Sequence, residues 1–120
     1  MRSSASALAL VFVFGCAGPR VVTPRVVDGD TAHRLVAQGI RVVDVRTPDE
    51  FATGHVPGAL NIPYDQMAQR HAELGPPSTP VLVYCQSGRR SGLAIATLRE
   101  KGFTDIYDLK TYARWVAAEK

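Results

Sequence analysis

A short segment in the second half of the chain has residue types suited to cysteine chemistry. The segment reads Cys85, Gln86, Ser87, Gly88, Arg89 and Arg90. It follows an apolar stretch at 81–84 that predicts a strand, and it precedes a helical pattern at 91–101. A loop in this position can direct backbone N–H groups toward an anion, and Gly88 permits the backbone angles that such a ring requires. The helix dipole, these donors and the two arginines would favour the thiolate of Cys85, which is the nucleophilic form of the residue.

Cys85 also has a purely structural interpretation. Free cysteine is among the most buried residue types, and Cys85 directly follows an apolar strand. The loop context alone leaves a nucleophilic cysteine and a core cysteine equally open. The other cysteine, Cys16, lies near the N-terminus, and two cysteines cannot make a disulfide scaffold of the kind that small secreted domains use.

Alternating strand and helix patterns must position this loop. Strands are predicted at 25–27, 40–45, 59–62, 81–84 and 105–108. Helices are predicted at 31–38, 64–74, 91–101 and 111–118, with a shorter helical turn that begins at 47–50. This alternation predicts an α/β fold with a largely parallel central sheet, covered by helices on both faces. In such sheets ligands bind at the carboxyl ends of the strands, where the Cys85 loop would lie.

Local signals set several of these boundaries. Asp28 is placed to cap the first helix, and Thr47 and Glu50 have the spacing of a capping box around Pro48. Core positions are predicted for Phe51 and Trp115, and Leu93, Ala94, Thr97 and Leu98 would share one face of the helix at 91–101.

Three motifs in order give the chain a family resemblance. They are Asp44-Val45-Arg46, Gly54-His55-Val56-Pro57-Gly58-Ala59 and the Cys85–Arg90 loop. With them, residues 26–120 resemble the rhodanese family of sulfurtransferases. The resemblance implies a rhodanese-like three-layer α/β domain. It also implies transfer of sulfane sulfur from a donor such as thiosulfate to cyanide or a thiol, through a persulfide on Cys85, without a metal or organic cofactor.

The resemblance also implies roles for the residues around the cysteine. The anionic donor would be held by Gln86, Ser87, Gly88, Arg89 and Arg90. Asp44 and Arg46 would support the active face of the sheet, although a surface salt bridge of little energetic value is the alternative for this pair. His55 belongs to a motif that is mainly architectural in the family, so a general-base role is the weaker hypothesis.

Loop length separates sulfur transfer from two other reactions of the same fold. The loop from Cys85 to Arg90 has six residues, with Ser91 in the seventh position. Related phosphatases and arsenate reductases carry seven residues, with the arginine last. The shorter ring fits a sulfur atom better than a tetrahedral oxyanion and therefore favours sulfur transfer. A binding module without turnover is the remaining alternative.

The chain departs from the family near its C-terminus. Aligning Trp115 with the family's tryptophan places Lys110 and Thr111 where two glycines are common. A long side chain there would narrow the entrance to the pocket or add a cation to it. Tyr64 and Tyr112 are weaker candidates for the mouth of the same pocket.

The N-terminal residues have the pattern of an export signal. Residues 1–15 combine a positive start with a short apolar stretch and a following run of small residues. The sequence ending at Cys16 resembles the lipobox of bacterial lipoproteins, which implies a lipid anchor on Cys16, a tether at 16–23 and a folded domain at 24–120. Cleavage after Ala17 without lipidation is the alternative. The predicted location is the bacterial cell envelope, facing the periplasm.

Composition sets the outer limits of these hypotheses. The chain has 120 residues, of which 46% are hydrophobic and 21% charged, with a formal net charge of +3. This balance is typical of one small globular domain and excludes a disordered acidic tail, a collagen and a multi-span membrane protein. Lysine and arginine are scattered, which argues against a nucleic-acid partner. Ligand-spaced clusters of Cys, His or carboxylate residues are lacking in the sequence, so no metal site is predicted.

Overall fold

The computed structural model describes residues 24–120, which form a five-stranded sheet with helices on both faces. The strands are β1 (Arg25–Val26), β2 (Arg41–Asp44), β3 (Leu60–Asn61), β4 (Val81–Cys85) and β5 (Ile106–Thr111). The helices are α1 (Gly29–Ala37), α2 (Pro48–Ala52), α3 (Met67–Arg70), α4 (Arg89–Glu100) and α5 (Tyr112–Ala117). The signal predicted at 1–15, the tether at 16–23 and Cys16 lie outside the described residues and remain predictions.

The sheet is parallel throughout, in the order β1-β5-β4-β2-β3. This arrangement confirms the predicted α/β class. Strand β4 is the central strand and is fully buried, which explains why it carries the strongest apolar run of the sequence. Its last residue is Cys85, so the cysteine stands at the carboxyl edge of the middle of the sheet.

Side chains alternate between the two faces of the sheet and form a core on each side. The α3 and α4 side contains Val43, Val45, Val81, Val83, Cys85, Ala94, Ile95, Leu98 and Phe103, among others. The α1 and α5 side contains Val27, Ala32, Val42, Val56, Leu82, Tyr84, Leu109 and Trp115. The period of two along β4 therefore directs Cys85 toward α4 and Tyr84 toward α5.

Capping side chains begin helices α1 and α2. Asp28 accepts a hydrogen bond from the N–H of Thr31 at the start of α1. Thr47 and Glu50 form the reciprocal capping box of α2, with Pro48 at its first turn. These contacts confirm the boundary signals read from the sequence. The segment predicted as one helix at 64–74 is instead the short helix α3 between two 3₁₀ turns.

Two predicted core positions are wrong. Leu93 is 44% exposed, because the buried face of α4 carries Ala94, Ile95 and Leu98 instead. Phe51 is only partly buried and stacks on the imidazole of His55, with 3.7 Å between the ring centroids. Trp115 is buried as predicted. Within residues 24–120, no helix combines the length and apolar character needed to span a bilayer.

Candidate functional site

The sulfur of Cys85 is buried but lies between two backbone groups of opposite polarity. The side chain packs in the core beneath α4 and has no exposed surface. The N–H of Gly88 donates to Sγ at 2.9 Å, and the thiol donates to the carbonyl of Lys110 at 3.3 Å. Sγ thus has one main-chain donor and one main-chain acceptor, and a reagent reaches it only when its cover moves.

The loop that follows Cys85 leaves several N–H groups available. Gly88 has φ 95° and ψ −16°, and α4 begins at the next residue. The backbone N–H groups of Gln86, Ser87, Arg89 and Arg90 have no acceptor among residues 24–120. Since α4 is 12 residues long, its positive dipole end adds to these donors. The loop therefore leaves several N–H donors for an anion, and the Gly88 N–H is the one that contacts the Cys85 sulfur.

We expect alanine at Gly88 to slow alkylation of Cys85 by iodoacetamide about tenfold, the effect of losing one hydrogen bond to an anion. Gly88 has φ 95°, a region that alanine avoids, so the backbone would turn and withdraw the N–H from Sγ. The matched control is Gly58→Ala, because Gly58 has φ 78° and open space where the new Cβ would lie. Equal alkylation rates in the wild type and Gly88→Ala would contradict this assignment.

The two arginines of the loop have different surroundings. The guanidinium of Arg90 donates to both carboxylate oxygens of Glu50, at 2.7 Å and 2.9 Å. This pairing raises the pKa of Arg90 above its ordinary value. Arg89 is exposed and forms neither a salt bridge nor a side-chain hydrogen bond with residues 24–120. Arg90 therefore fastens the loop to α2, and Arg89 is the arginine left to meet an anion.

Glu50 is expected to contribute stability that disappears in acid. Hydrogen bonds from Arg90, then from the Thr47 backbone, lower the pKa of Glu50 from 4.5 to about 2. A carboxyl whose pKa is lower in the folded state stabilises the fold above its unfolded pKa, and this contribution is lost as the pH falls toward 2. Glu50→Gln should therefore lower the free energy of unfolding by about 1 kcal/mol near neutral pH, and by progressively less in acid.

Urea denaturation across this pH range measures that difference. Glu100→Gln is the control, because Glu100 is exposed at the end of α4 and forms no salt bridge with residues 24–120. A gap between the wild type and Glu50→Gln that stays constant down to the lowest pH would refute the assignment.

A buried ion pair joins β2 to the loop. Arg46 donates from Nε and Nη2 to the carboxylate of Asp44, with the shortest contact at 2.7 Å. Its remaining donors reach the carbonyl of Gly54 at 2.7 Å and the side-chain oxygen of Gln86 at 3.3 Å. Burial opposes the charge on Arg46, but the Asp44 carboxylate outweighs it and raises the pKa of the guanidinium. This geometry replaces the surface salt bridge that the sequence left open, since both side chains are almost fully buried.

Two tyrosines enclose the same guanidinium. Its central carbon lies 4.7 Å from the ring centroid of Tyr112 and 5.6 Å from that of Tyr84. The Tyr84 hydroxyl accepts the N–H of Val56 at 3.0 Å, and burial, followed by the neighbouring Asp44, raises the pKa of this phenol. Both rings therefore hold Arg46 by cation–π contact, and Tyr84 also ties β4 to the segment after α2.

His55 is placed for structure rather than for proton transfer. Its ring stacks on Phe51, and Nδ1 donates to the carbonyl of Phe51 at 2.9 Å. A carbonyl can only accept, so Nδ1 carries the proton in this bond. These contacts end α2 and stay within its own segment, in agreement with the architectural reading of the motif.

A surface groove lies away from the cysteine. It has a volume of about 710 Å³ and is lined by residues at the amino ends of the strands, including Arg41, Thr79 and Asp105. Cys85 is at the opposite, carboxyl edge of the sheet, so this groove does not serve the loop. Among residues 24–120, no three Cys, His or carboxylate side chains converge as a metal site would need.

The structure brings most of the predicted site residues together and adds several that sequence reasoning missed. Arg46 contacts Asp44 and Gln86, Gly88 contacts the sulfur of Cys85, and Arg90 contacts Glu50. His55 contacts only Phe51, within its own segment. The additional residues are Glu50, Tyr84, Asp108 and the main chain of Lys110. The sequence predicts Glu50 only as a capping residue. Its ion pair with Arg90 could not be predicted, because the two residues are 40 positions apart.

Comparison with known proteins agrees with this geometry. The profile of the rhodanese-like domain family matches residues 29–118. Thiosulfate sulfurtransferase 16 of Arabidopsis thaliana is 38% identical over 105 residues, which cover 77% of this chain and 87% of the plant protein. A human single-domain sulfurtransferase superposes with a TM-score of 0.70 and 29% identity, covering 82% of this chain and 99% of the human one.

Other relatives are longer than the matched region or carry no assigned activity. Thiosulfate sulfurtransferase PspE of Escherichia coli is 42% identical over 65 residues, or 53% of this chain and 62% of that protein. Uncharacterized protein YqhL of Bacillus subtilis is 47% identical over 76 residues, or 62% of this chain and 60% of that protein. The chain thus spans less than two thirds of both proteins. On the family profile and the shared fold, this chain belongs to the rhodanese-like domain family, which includes proteins named as sulfurtransferases.

Proposed function

We propose that this chain is a sulfurtransferase that moves sulfane sulfur from thiosulfate to a thiol or to cyanide. The observation that carries the proposal is the contact of 2.9 Å from the Gly88 N–H to the sulfur of Cys85. This contact supports the proposal because an N–H group next to the start of α4 donates to the cysteine sulfur. Relatives named thiosulfate sulfurtransferases and an Escherichia coli structure described as a rhodanese with anions support it.

The first half-reaction would load Cys85 with sulfur. The thiol releases its proton to solvent, and the thiolate attacks the outer sulfur of thiosulfate. The S–S bond of thiosulfate breaks, and sulfite leaves with the bonding electron pair. Cys85 then carries a persulfide, whose terminal sulfur is negatively charged. Unpaired N–H groups of the loop suit both the entering dianion and this product, because they are oriented before the charge arrives.

The second half-reaction would return Cys85 to its starting state. A thiolate or cyanide attacks the terminal persulfide sulfur, and the Cys85 thiolate leaves with the electrons of the S–S bond. The products are an acceptor persulfide or thiocyanate. The first step adds one sulfane sulfur to Cys85 and the second removes it, so the complete cycle needs no external oxidant or reductant and involves no metal or organic cofactor.

The electrostatics of the loop suit a small anionic donor. Arg89 is exposed beside the N–H groups, and Arg90 is kept in place by Glu50. The N–H groups provide short-range contacts, and the exposed guanidinium provides longer-range attraction. Thiosulfate is small, and it would reach the buried sulfur of Cys85 once the cover of this side chain moves.

Intact-mass measurement tests the proposal directly. Purified full-length protein is incubated with thiosulfate, and we expect a gain of one sulfur atom that cyanide removes as thiocyanate. Protein alkylated beforehand at its thiols is the control and should gain nothing. A thiol that stays unmodified without turnover would identify a binding module. Release of phosphate from an aryl phosphate, or reduction of arsenate, would identify one of the alternative reactions.

A further inference from the structure

Lys110 has a backbone conformation that is unusual for its residue type. Its φ is 69°, and it is the single non-glycine residue with positive φ among residues 24–120. The pairing of β4 with β5 shifts at this point, since Val83 pairs with Asp108 and Tyr84 with Lys110, which leaves Leu109 as an extra residue. The carboxylate of Asp108 accepts the N–H of Lys110 at 2.8 Å. The bulge and this hydrogen bond together hold Lys110 in the left-handed region.

The conformation places both parts of Lys110 against the reactive loop. Its carbonyl accepts the Cys85 thiol at 3.3 Å. Its Cβ, Cγ and Cδ atoms lie 3.5–4.0 Å from the point where a side chain on Gly88 would begin. The stem therefore covers the residue whose N–H donates to Sγ. The ammonium is two bonds beyond Cδ, at the end of this stem and 3.7 Å from the Asp108 carboxylate.

The charge of Lys110 is only loosely balanced. The ammonium lies 3.7 Å from Asp108, beyond hydrogen-bond distance, and the side chain is 40% exposed. Arg90, in contrast, is held by Glu50 through two short hydrogen bonds. Positive charge free to meet an incoming anion beside Gly88 is thus provided by Lys110 and Arg89 within residues 24–120.

We propose that Lys110 is a specificity-determining residue whose ammonium attracts anionic reagents, and above all dianionic sulfur donors, to Cys85. Glycine in this position would satisfy the backbone but would lack the cation. The preference for dianionic sulfur donors rests on the proposed sulfurtransferase function. The attraction of anions to Cys85 is independent of that function, because it can be measured by alkylation of the thiol.

Alkylation by reagents of different charge tests the attraction. In full-length Cys16→Ala protein, the rates of Cys85 modification by iodoacetate and by neutral iodoacetamide are measured at low salt. We expect K110Q to lower the ratio of the two rates about fivefold, as expected for a partly exposed charge near the reaction site. K110R should restore most of the ratio. The control K101Q has the same net charge as K110Q, but Lys101 is exposed at the far end of α4 and should leave the ratio unchanged.

Kinetics with thiosulfate extend the test to the donor. K110Q should raise KM for thiosulfate about fivefold at low salt with kcat changed by less than about twofold, and salt should shrink the difference. An alkylation ratio that is the same in K110Q and wild type would overturn the inference, as would equal losses in K110R and K110Q. If wild-type protein gains no sulfur, the proposed function fails, but the alkylation ratio still decides the role of Lys110.

Discussion

Cys85→Ala is expected to take up no sulfur from thiosulfate and to lower turnover at least about a thousandfold, as removal of a nucleophile does in other enzymes. Cys85 is the one cysteine within residues 24–120, and its sulfur is the atom that Gly88 contacts. Alanine keeps the small apolar volume that the core beneath α4 requires but offers no sulfur to attack. Intact mass measures the first step, and thiocyanate formation from cyanide measures the whole cycle.

Cys16→Ala is the matched control for this experiment. It removes the other cysteine of the chain and should gain one sulfur as the wild type does. Urea denaturation of Cys85→Ala should show a folded protein, so that loss of uptake reports chemistry rather than unfolding. Sulfur uptake that persists in Cys85→Ala and disappears in Cys16→Ala would overturn the assignment of the nucleophile.

The parts of this protein that were predictable depend on short sequence separations. The capping box of Thr47 and Glu50 spans three positions, and the Asp28 cap also spans three. The position of Cys85 followed from a strand, a loop and a helix in immediate succession. In each case the residues that interact lie within one turn or one short loop. The local sequence pattern is therefore enough to predict how they are placed relative to one another.

The parts that were not predictable depend on contacts between distant segments. The carbonyl that accepts the Cys85 thiol belongs to Lys110, 25 positions away, and arrives there through a bulge in β5. No local signal at Lys110 predicts a positive φ, because lysine rarely adopts one. The core position predicted for Phe51 was wrong for a different reason, because its ring stacks on His55 only four positions away and is partly buried.

Glu50 shows how one side chain can serve both kinds of contact. One of its carboxylate oxygens accepts hydrogen bonds from Thr47, which begins α2, and from Arg90, which begins α4. The segment that carries the Asp44 and Arg46 pair is thereby tied to the loop that carries Cys85. Because the carboxylate of Glu50 is charged in both contacts, the position of the loop depends on electrostatics as well as on packing.

Asp44→Ala is expected to lower the free energy of unfolding by about 3–5 kcal/mol, the cost of leaving a buried charge without its partner. Asp44 has no exposed surface, and its carboxylate receives two donors of the Arg46 side chain as well as the Arg46 backbone N–H. The tyrosine rings above Arg46 cannot replace this charge. Urea denaturation at neutral pH measures the loss.

Two further variants separate the missing charge from a general effect of mutation. Asp65→Ala removes an exposed carboxylate that has no salt bridge among residues 24–120, and it should change the free energy of unfolding by less than about 0.5 kcal/mol. The double variant Asp44→Ala/Arg46→Met contains no unpaired buried cation. Its free energy of unfolding should therefore fall by less than the sum of the decreases in the two single variants. Strict additivity would mean that Asp44 and Arg46 stabilise the fold independently.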